Sequence, residues 1–408
     1  MAAVVPFRAL RPMPASAPQV AAVPYDVVNA QEAQALADGN PLSFLHVSRA
    51  EIDLPAGTDP HSDVVYRQAA ENFATLRTLA PLVVEEAPRL YAYRLKMGNH
   101  VQTGVAGAFS IDEYERDVIK KHERTRRDKE DDRTRHMIEL RAQTGPVFLT
   151  YRATRGVDAV VDRATRAAAL FDFSAPDGVH HTIWRIDHDE MKDLVAAFDR
   201  IPALYIADGH HRAASAARAR RQLCGSKAGS GGSGEWDTVL AVAFPDNQVQ
   251  ILPYNRMVND LGPHTPSSLL AKLREQFRVK SGPAMPARRG DVAMFLDGQW
   301  HTIELGDAPR GLEAADRLDV SRLQDTVLTQ MLGVGDVRTD KRIDFVSGAR
   351  GTAELERLVT SGRAAAAFSM YPVSIEDLIQ ISDAGGIMPP KSTWFEPKLR
   401  DGLLSHLI

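Results

Sequence analysis

Residues Ala203–Arg212 read ALYIADGHHR. The apolar run predicts a buried strand over Leu204–Ala207, Asp208-Gly209 a sharp turn, and the following alanine-rich stretch a helix that begins near His210 and runs through Leu223. A helix N-terminus carries unpaired N–H groups and about half a positive charge, so it favours anions and disfavours cations. His211 and Arg212 nevertheless fall in the first turn. Each costs the helix roughly a few tenths of a kcal/mol unless an anion sits there. In that case backbone and side chains act together, and phosphate is the natural candidate. The plainer alternative makes Asp208 a helix cap and the histidines satisfied core or surface groups. Asp-Gly before the pair and Arg after it favour the anion site.

A second stretch repeats the anomaly. In IKKHERTRRDKEDDRTRH, residues 119–136, Thr125 and Asp128 have capping-box spacing, which predicts a helix start at Thr125 with Arg124, Arg126 and Arg127 crowding its positive end. Asp112–Arg141 holds 20 charged residues, ten of each sign, so it is no basic patch for nucleic acid. Its C-terminal half reads as a solvated, salt-bridged helix. His122-Glu123-Arg124, just before the cap, reads as a site in which Glu123 is a general base or metal ligand. In MPPKSTWFEPKLRDGL, residues 388–403, the prolines forbid a helix through Lys391, Ser392 and Thr393. This segment is either a terminal arm packed on the body or one that closes a pocket and contacts nucleotide.

Elsewhere the patterns alternate. Helices are expected near 31–38, 66–79, 189–198, 267–277, 320–332, 352–360 and 375–381. Strands are expected around 44–47, 146–151, 343–346 and 364–370. Residues 90–96 and 103–110 read as a hairpin across MGNH, VAMFLDGQWHTIEL as a hairpin across Asp297-Gly298, and Thr238–Phe244 with Val249–Leu252 as paired strands. The proline-rich N-terminus suits extended or edge structure. The fold class is therefore mixed, α+β or α/β, rather than a bundle. GSKAGSGGSGE, residues 225–235, reads as a flexible loop. Its formal G-x-G-x-x-G at Gly229, Gly231 and Gly234 follows a helix and precedes a strand, the reverse of what dinucleotide binding needs. The phosphate-loop motif G-x-x-x-x-G-K-[ST] is absent.

Composition narrows the class. The 408 residues suffice for two or three domains, and a formal charge of −4 offers no global field for nucleic acid. The single cysteine, Cys224, excludes an internal disulfide framework and a cysteine-based zinc site. With no apolar run near the roughly 20 residues that span a bilayer, a soluble, cytoplasmic protein is expected, with no membrane and no nucleic-acid partner.

IADGHHR, KHERTRRDKEDDR, ILPYNR and MPPKSTWFEPK together resemble a bacterial and archaeal family catalogued as domain of unknown function 1015, over nearly the whole chain. The Asp-Gly-His-His-Arg motif is also similar to that of free serine kinases of the ParB/sulfiredoxin superfamily, in which it binds nucleotide phosphates while a separate glutamate acts as base. The resemblance implies a ParB/sulfiredoxin-like catalytic core with additional α/β elements over 1–261, carrying both motifs. A C-terminal α/β region follows over 262–408, with the PPKSTWFEPK arm. It implies Asp208, Gly209, His210, His211 and Arg212 as the phosphate motif, Asp208 and His210 also serving catalysis, with Mg²⁺ near Asp208 bridging the phosphates. Glu123 is the base on chemical grounds. It lies 85 positions before Asp208, wider than in the compact kinases, so an insertion or another acid such as Glu51 remains open. Lys391, Ser392 and Thr393 would contact nucleotide, and His122, Arg124 and Arg127 the substrate. The implied reaction moves a phosphoryl group from ATP or ADP to free L-serine, giving O-phosphoserine. Alternatives are a ParB-like nucleotide-binding or hydrolysing regulator and a kinase of another small hydroxyl compound. A homo-oligomer is compatible with the chain.

Overall fold

The computed structural model describes residues 2–80, 82–225 and 234–408. Residues 226–233, including Gly229 and Gly231 of the formal glycine motif, lie outside the described residues. The chain forms two compact units, Met1–Val249 with Pro397–Ile408, and Gln250–Glu396. The division thus falls at Val249 where sequence places a boundary at 261/262, and the last twelve residues return to the first unit. That return rests on backbone pairing, Ser405 with Leu10 and His406 with Gln143, between segments far apart in sequence.

The first unit is built on a nine-stranded mixed sheet. Its strands are β1 (Val4–Val5), β2 (Tyr91–Met97), β3 (His100–Ser110), β4 (Ile119–Lys120), β5 (Val147–Tyr151), β6 (Phe171–Ser174), β7 (His180–Arg185), β8 (Leu204–Asp208) and β9 (Thr238–Pro245). The spatial order is β4-β8-β5-β9-β3-β2-β7-β6, with β1 on β3. The helices used below are α1 (Asp63–Leu79), α2 (Arg127–Leu140), α3 (Arg155–Ala164), α4 (His188–Phe198) and α5 (His210–Gly225). Sequence left 155–185 unassigned, where α3 and the β6–β7 hairpin form. Phe109, Phe148, Phe198 and Phe244 are fully buried, each burial contributing roughly 1.5–3 kcal/mol. No described helix is long and apolar enough to cross a membrane.

The second unit has a six-stranded, wholly antiparallel sheet. Its hairpin Asp291–Leu296 and Gln299–Glu304 turns on Asp297 and Gly298 as expected, both with positive φ, 48° and 75°. The expected helices near 267–277, 352–360 and 375–381 are present as Pro266–Gln276, Gly351–Thr360 and Ile375–Asp383.

Three expectations fail for physical reasons. Residues 44–47 form a helical turn, Leu45–Ser48, because a stretch of only four residues, Phe-Leu-His-Val, is too short to show a period of its own. Ile251–Leu252 pairs with Trp394–Phe395 instead of with β9, whose two edges are already taken by β5 and β3. The helix expected over 320–332 is α-helical only at Asp319–Leu323, and Gln324–Thr329 widens to a π-type turn.

Candidate functional site

β8 ends on a bulge. Ile206 faces Leu149 and Asp208 faces Phe148, so Ala207 is the extra residue and the strand's last side chain is re-aimed. Gly209 then turns the chain with φ +94°, a region that L-residues rarely enter. A Cβ at this position would also stand 3.0 Å from Arg212 Nε and Cζ, so the glycine makes room for the guanidinium as well. α5 starts at His210 and buries a face of small residues, Ala213, Ala216, Ala217 and Ala219, which lets it lie close to α2 and the sheet.

Asp208 is held from three sides. Oδ1 accepts the Gly209 N–H at 3.0 Å, and Oδ2 faces Lys398 Nζ at 3.2 Å and Arg212 Nη2 at 3.5 Å. Burial opposes its ionisation, but Lys398 and Arg212 outweigh it and hold the carboxyl below the usual carboxylate range. Arg212 is buried and donates to the Pro146 carbonyl, and Asp26 Oδ2 lies 3.9 Å away. Burial would lower its pKa, yet Asp26, Asp208 and Asp401 raise it. Asp401 is pushed up to about 7 by burial, against the pull of Arg212. Arg212 Nε and Asp401 Oδ1 have no hydrogen-bond partner among the described residues.

The segment between β4 and α2 docks on this turn through both histidines. His210 Nε2 accepts the His122 backbone N–H at 3.4 Å, and His211 Nε2 accepts that of Arg126 at 3.1 Å. The His122 and His210 rings meet edge to face at 4.4 Å. Burial drives His122 down to about 4 against the raising influence of Asp208 and the Ile206 backbone, and drives His210 well below its ordinary value. Both rings are therefore neutral. With Nε2 accepting, the His210 proton is on Nδ1, the atom 3.8 Å from Glu123 Oε2. That separation is too long for a hydrogen bond, and the Glu123 carboxylate stands half-exposed beside the turn. His122 places neither ring nitrogen in a well-formed hydrogen bond.

Among the expected site residues, His122, Glu123, Asp208, Gly209, His210, His211 and Arg212 are brought together. Arg124 and Arg127 are exposed beside them. Lys391, Ser392 and Thr393 belong to the second unit, where Lys391 Nζ lies 5.5 Å from the centre of the Tyr254 ring and Ser392 is buried. The expected arm is thus divided at Glu396, its end entering the first unit. Glu51, the alternative acid, pairs with Arg49 Nε at 2.9 Å and lines a narrow cleft with Tyr25, Tyr66, Asp132 and Arg133.

The expected capping box does not form. α2 begins at Arg127, Asp128 turns back to Arg126 at 2.7 Å, and Thr125 donates to Glu130. Nor is α2 simply solvated, because Asp132, Thr134, His136, Met137 and Leu140 are buried. Arg133 and the Tyr66 hydroxyl hold Asp132 down to about 2 despite its burial. Asp208, the residue expected near Mg²⁺, is engaged by Lys398 and Arg212 at one oxygen and by the Gly209 amide at the other. Among the described residues no group of three or more His, Cys, Asp or Glu is arranged to hold a metal ion. Lys398 escaped the sequence reading. It follows a proline in an irregular stretch 190 positions from Asp208, and only its place beside the Asp208-Gly209 turn marks it.

A family described as protein of unknown function DUF1015 matches residues 4–321. No curated protein matches the chain. Among solved structures, a free serine kinase in complex with AMP is 14% identical, covering 72% of this chain and 91% of that one, with a TM-score of 0.35. A conserved hypothetical protein from Pyrococcus furiosus is 14% identical over 73% and 94%, TM-score 0.34. SbnI with a C-terminal truncation, from Staphylococcus aureus, is 10% identical over 72% and 85%, TM-score 0.36. Likenesses this distant carry no argument about activity.

Proposed function

The chain belongs to the DUF1015 family, and from that premise we propose that it is a small-molecule kinase that transfers the terminal phosphoryl group of ATP or ADP to the hydroxyl of free L-serine. The observation that carries this reading is one assembly. A glycine turn opens a helix N-terminus, a buried arginine stands beside it, and a carboxylate, Glu123, faces that helix end across a neutral histidine. Phosphoryl transfer asks for in-line positioning and charge neutralisation more than for covalent chemistry.

In the proposed reaction the first-turn amides of α5 and the Arg212 guanidinium hold the donor's phosphates. Glu123 accepts the proton of the serine hydroxyl as its oxygen attacks the terminal phosphorus. The bond to the leaving nucleotide oxygen breaks, and the products are O-phosphoserine and the shortened nucleotide. His210, neutral and protonated on Nδ1, stands beside Glu123 without competing for the proton. His210 and His211 in this arrangement hold the Lys121–Arg127 segment by their Nε2 atoms, so their part in phosphate binding is indirect. Arg124 and Arg127, exposed at the mouth, are placed for the acceptor's carboxylate. Lys391, Ser392 and Thr393 stay in the proposal as nucleotide contacts on sequence grounds alone.

Purified protein incubated with Mg²⁺, L-serine and ATP, ADP or pyrophosphate should yield phosphoserine by ³¹P NMR. No product with any donor would sink the reading. Glu123→Gln should lower turnover by about 10²-fold or more while nucleotide binding is kept. Unchanged turnover would move the base elsewhere, Glu51 being next.

A further inference from the structure

Two cations meet the Asp208 carboxylate, and one of them arrives from the far end of the chain. Lys398 Nζ lies 3.2 Å from Asp208 Oδ2, with its side chain nine-tenths buried. Lysine seldom buries its ammonium, because desolvation and lost rotamer freedom both oppose it. Local structure does not impose the burial, since 396–400 forms neither helix nor strand. The tail around it does. Asp401 and Ala22 exchange backbone hydrogen bonds of 2.9 and 3.2 Å, and Ser405 and Leu10 exchange a pair of 2.9 Å. Gly402 donates to the Thr144 carbonyl at 3.2 Å, and Arg400 is clasped by His181 at 3.2 Å and by Asp177. Anchored in this way, the tail delivers one lysine to the Asp208-Gly209 turn at the N-terminus of α5.

That turn needs a lysine from elsewhere. The chain has no phosphate-loop motif and no lysine anywhere between residues 193 and 226. An ammonium is a compact charge with three rotatable donors, able to exchange a carboxylate oxygen for a phosphate oxygen with little movement. We infer that Lys398 is the phosphate-binding lysine of the β8–α5 turn, stationed there by Asp208 and the C-terminal tail, and that it donates to the oxygens of a di- or triphosphate bound at the α5 N-terminus. Asp208 is then a positioning residue for Lys398 and Arg212. The inference rests on the phosphate reading of the turn proposed above.

Calorimetric titration of the full-length protein with pyrophosphate, ADP and adenosine separates the two ideas. Lys398→Met should weaken pyrophosphate and ADP by about ten- to hundred-fold and leave adenosine unchanged. Lys398→Arg should recover most of the loss. If the unsubstituted protein binds neither pyrophosphate nor ADP, the phosphate reading itself fails. If it binds both and Lys398→Met binds them within about two-fold of it, the role of Lys398 is overturned and the phosphate reading stands. Equal weakening of adenosine would make the residue structural and also overturn the inference. Should Lys398→Met fail to fold, the unsubstituted protein still decides. Pyrophosphate must slow acylation of Lys398, followed by peptide mass spectrometry, more than it slows acylation of Lys121, and equal rates with and without pyrophosphate would refute the contact.

Discussion

Two helices of the first unit open with arginines at their positive ends, α5 at His210 and α2 at Arg127, and burial separates their fates. At α5 the guanidinium of Arg212 is interior, and Asp26, Asp208 and Asp401 surround it. At α2 Arg124, Arg126 and Arg127 are exposed, and the Arg126 guanidinium pairs with its neighbour Asp128. A buried charge must be matched by fixed partners, whereas an exposed one is screened by water. The same local anomaly therefore marks a preorganised centre in one place and an adaptable rim in the other.

The sharpest way to break this comparison is Arg212→Met, which takes the guanidinium away from buried Asp401 and from Asp26, leaves Asp208 to Lys398 alone, and should cost about 3–5 kcal/mol in urea unfolding. A cost below about 1 kcal/mol would show that the carboxylates do not depend on it. Gly209→Ala comes next. A Cβ in left-handed backbone, pressed against Arg212, should cost about 1–3 kcal/mol and weaken nucleotide binding in parallel.

The pH dependence of stability probes the same cluster. Asp401 is raised from 3.8 to about 7, so its contribution is full below about pH 4 and is lost as pH climbs through 7. Asp401→Asn, neutral throughout, should keep what the wild type loses, with a difference growing by at most ~1.4 kcal/mol per pH unit. His122, lowered to about 4, has the opposite sign, its contribution being present above 6.5 and lost as pH falls through 4. It is common to both proteins and cancels, so parallel unfolding midpoints from pH 4.5 to 8 would rule out the Asp401 assignment. The smallest effect belongs to the rim. The double substitution Arg124→Gln with Arg127→Gln should move stability by no more than about 0.5 kcal/mol while raising the KM for the acceptor several-fold. A stability loss like that of Arg212→Met would erase the distinction between the two helix starts.

Local patterns made much of this legible. Asp-Gly after an apolar run predicted the strand, turn and helix of β8 and α5, because a turn of this kind depends on residues within a few positions of one another. The neighbouring acids and bases in the C-terminal half of Asp112–Arg141 were legible as a charged helix, α2. Its buried face was not, because Tyr66, which partners Asp132, comes from a separate helix, α1. The capping box at Thr125 and Asp128 failed for a related reason. Glu130 draws the Thr125 hydroxyl away, and the Asp128 carboxylate turns to the Arg126 guanidinium.

By itself, the sequence determined the mixed α/β class, the glycine turn, the cationic first turn of α5 and the residues of the two motifs. Tertiary structure alone decided that His210 and His211 clasp the segment carrying His122 and Glu123, that Asp208 pairs with both Arg212 and Lys398, and that Lys398 returns with the C-terminal tail. Turn and helix signals are short-range and repeat along the chain. A buried charge is matched by whichever groups folding brings within a few ångströms, and those come from the two ends of the sequence as readily as from its middle.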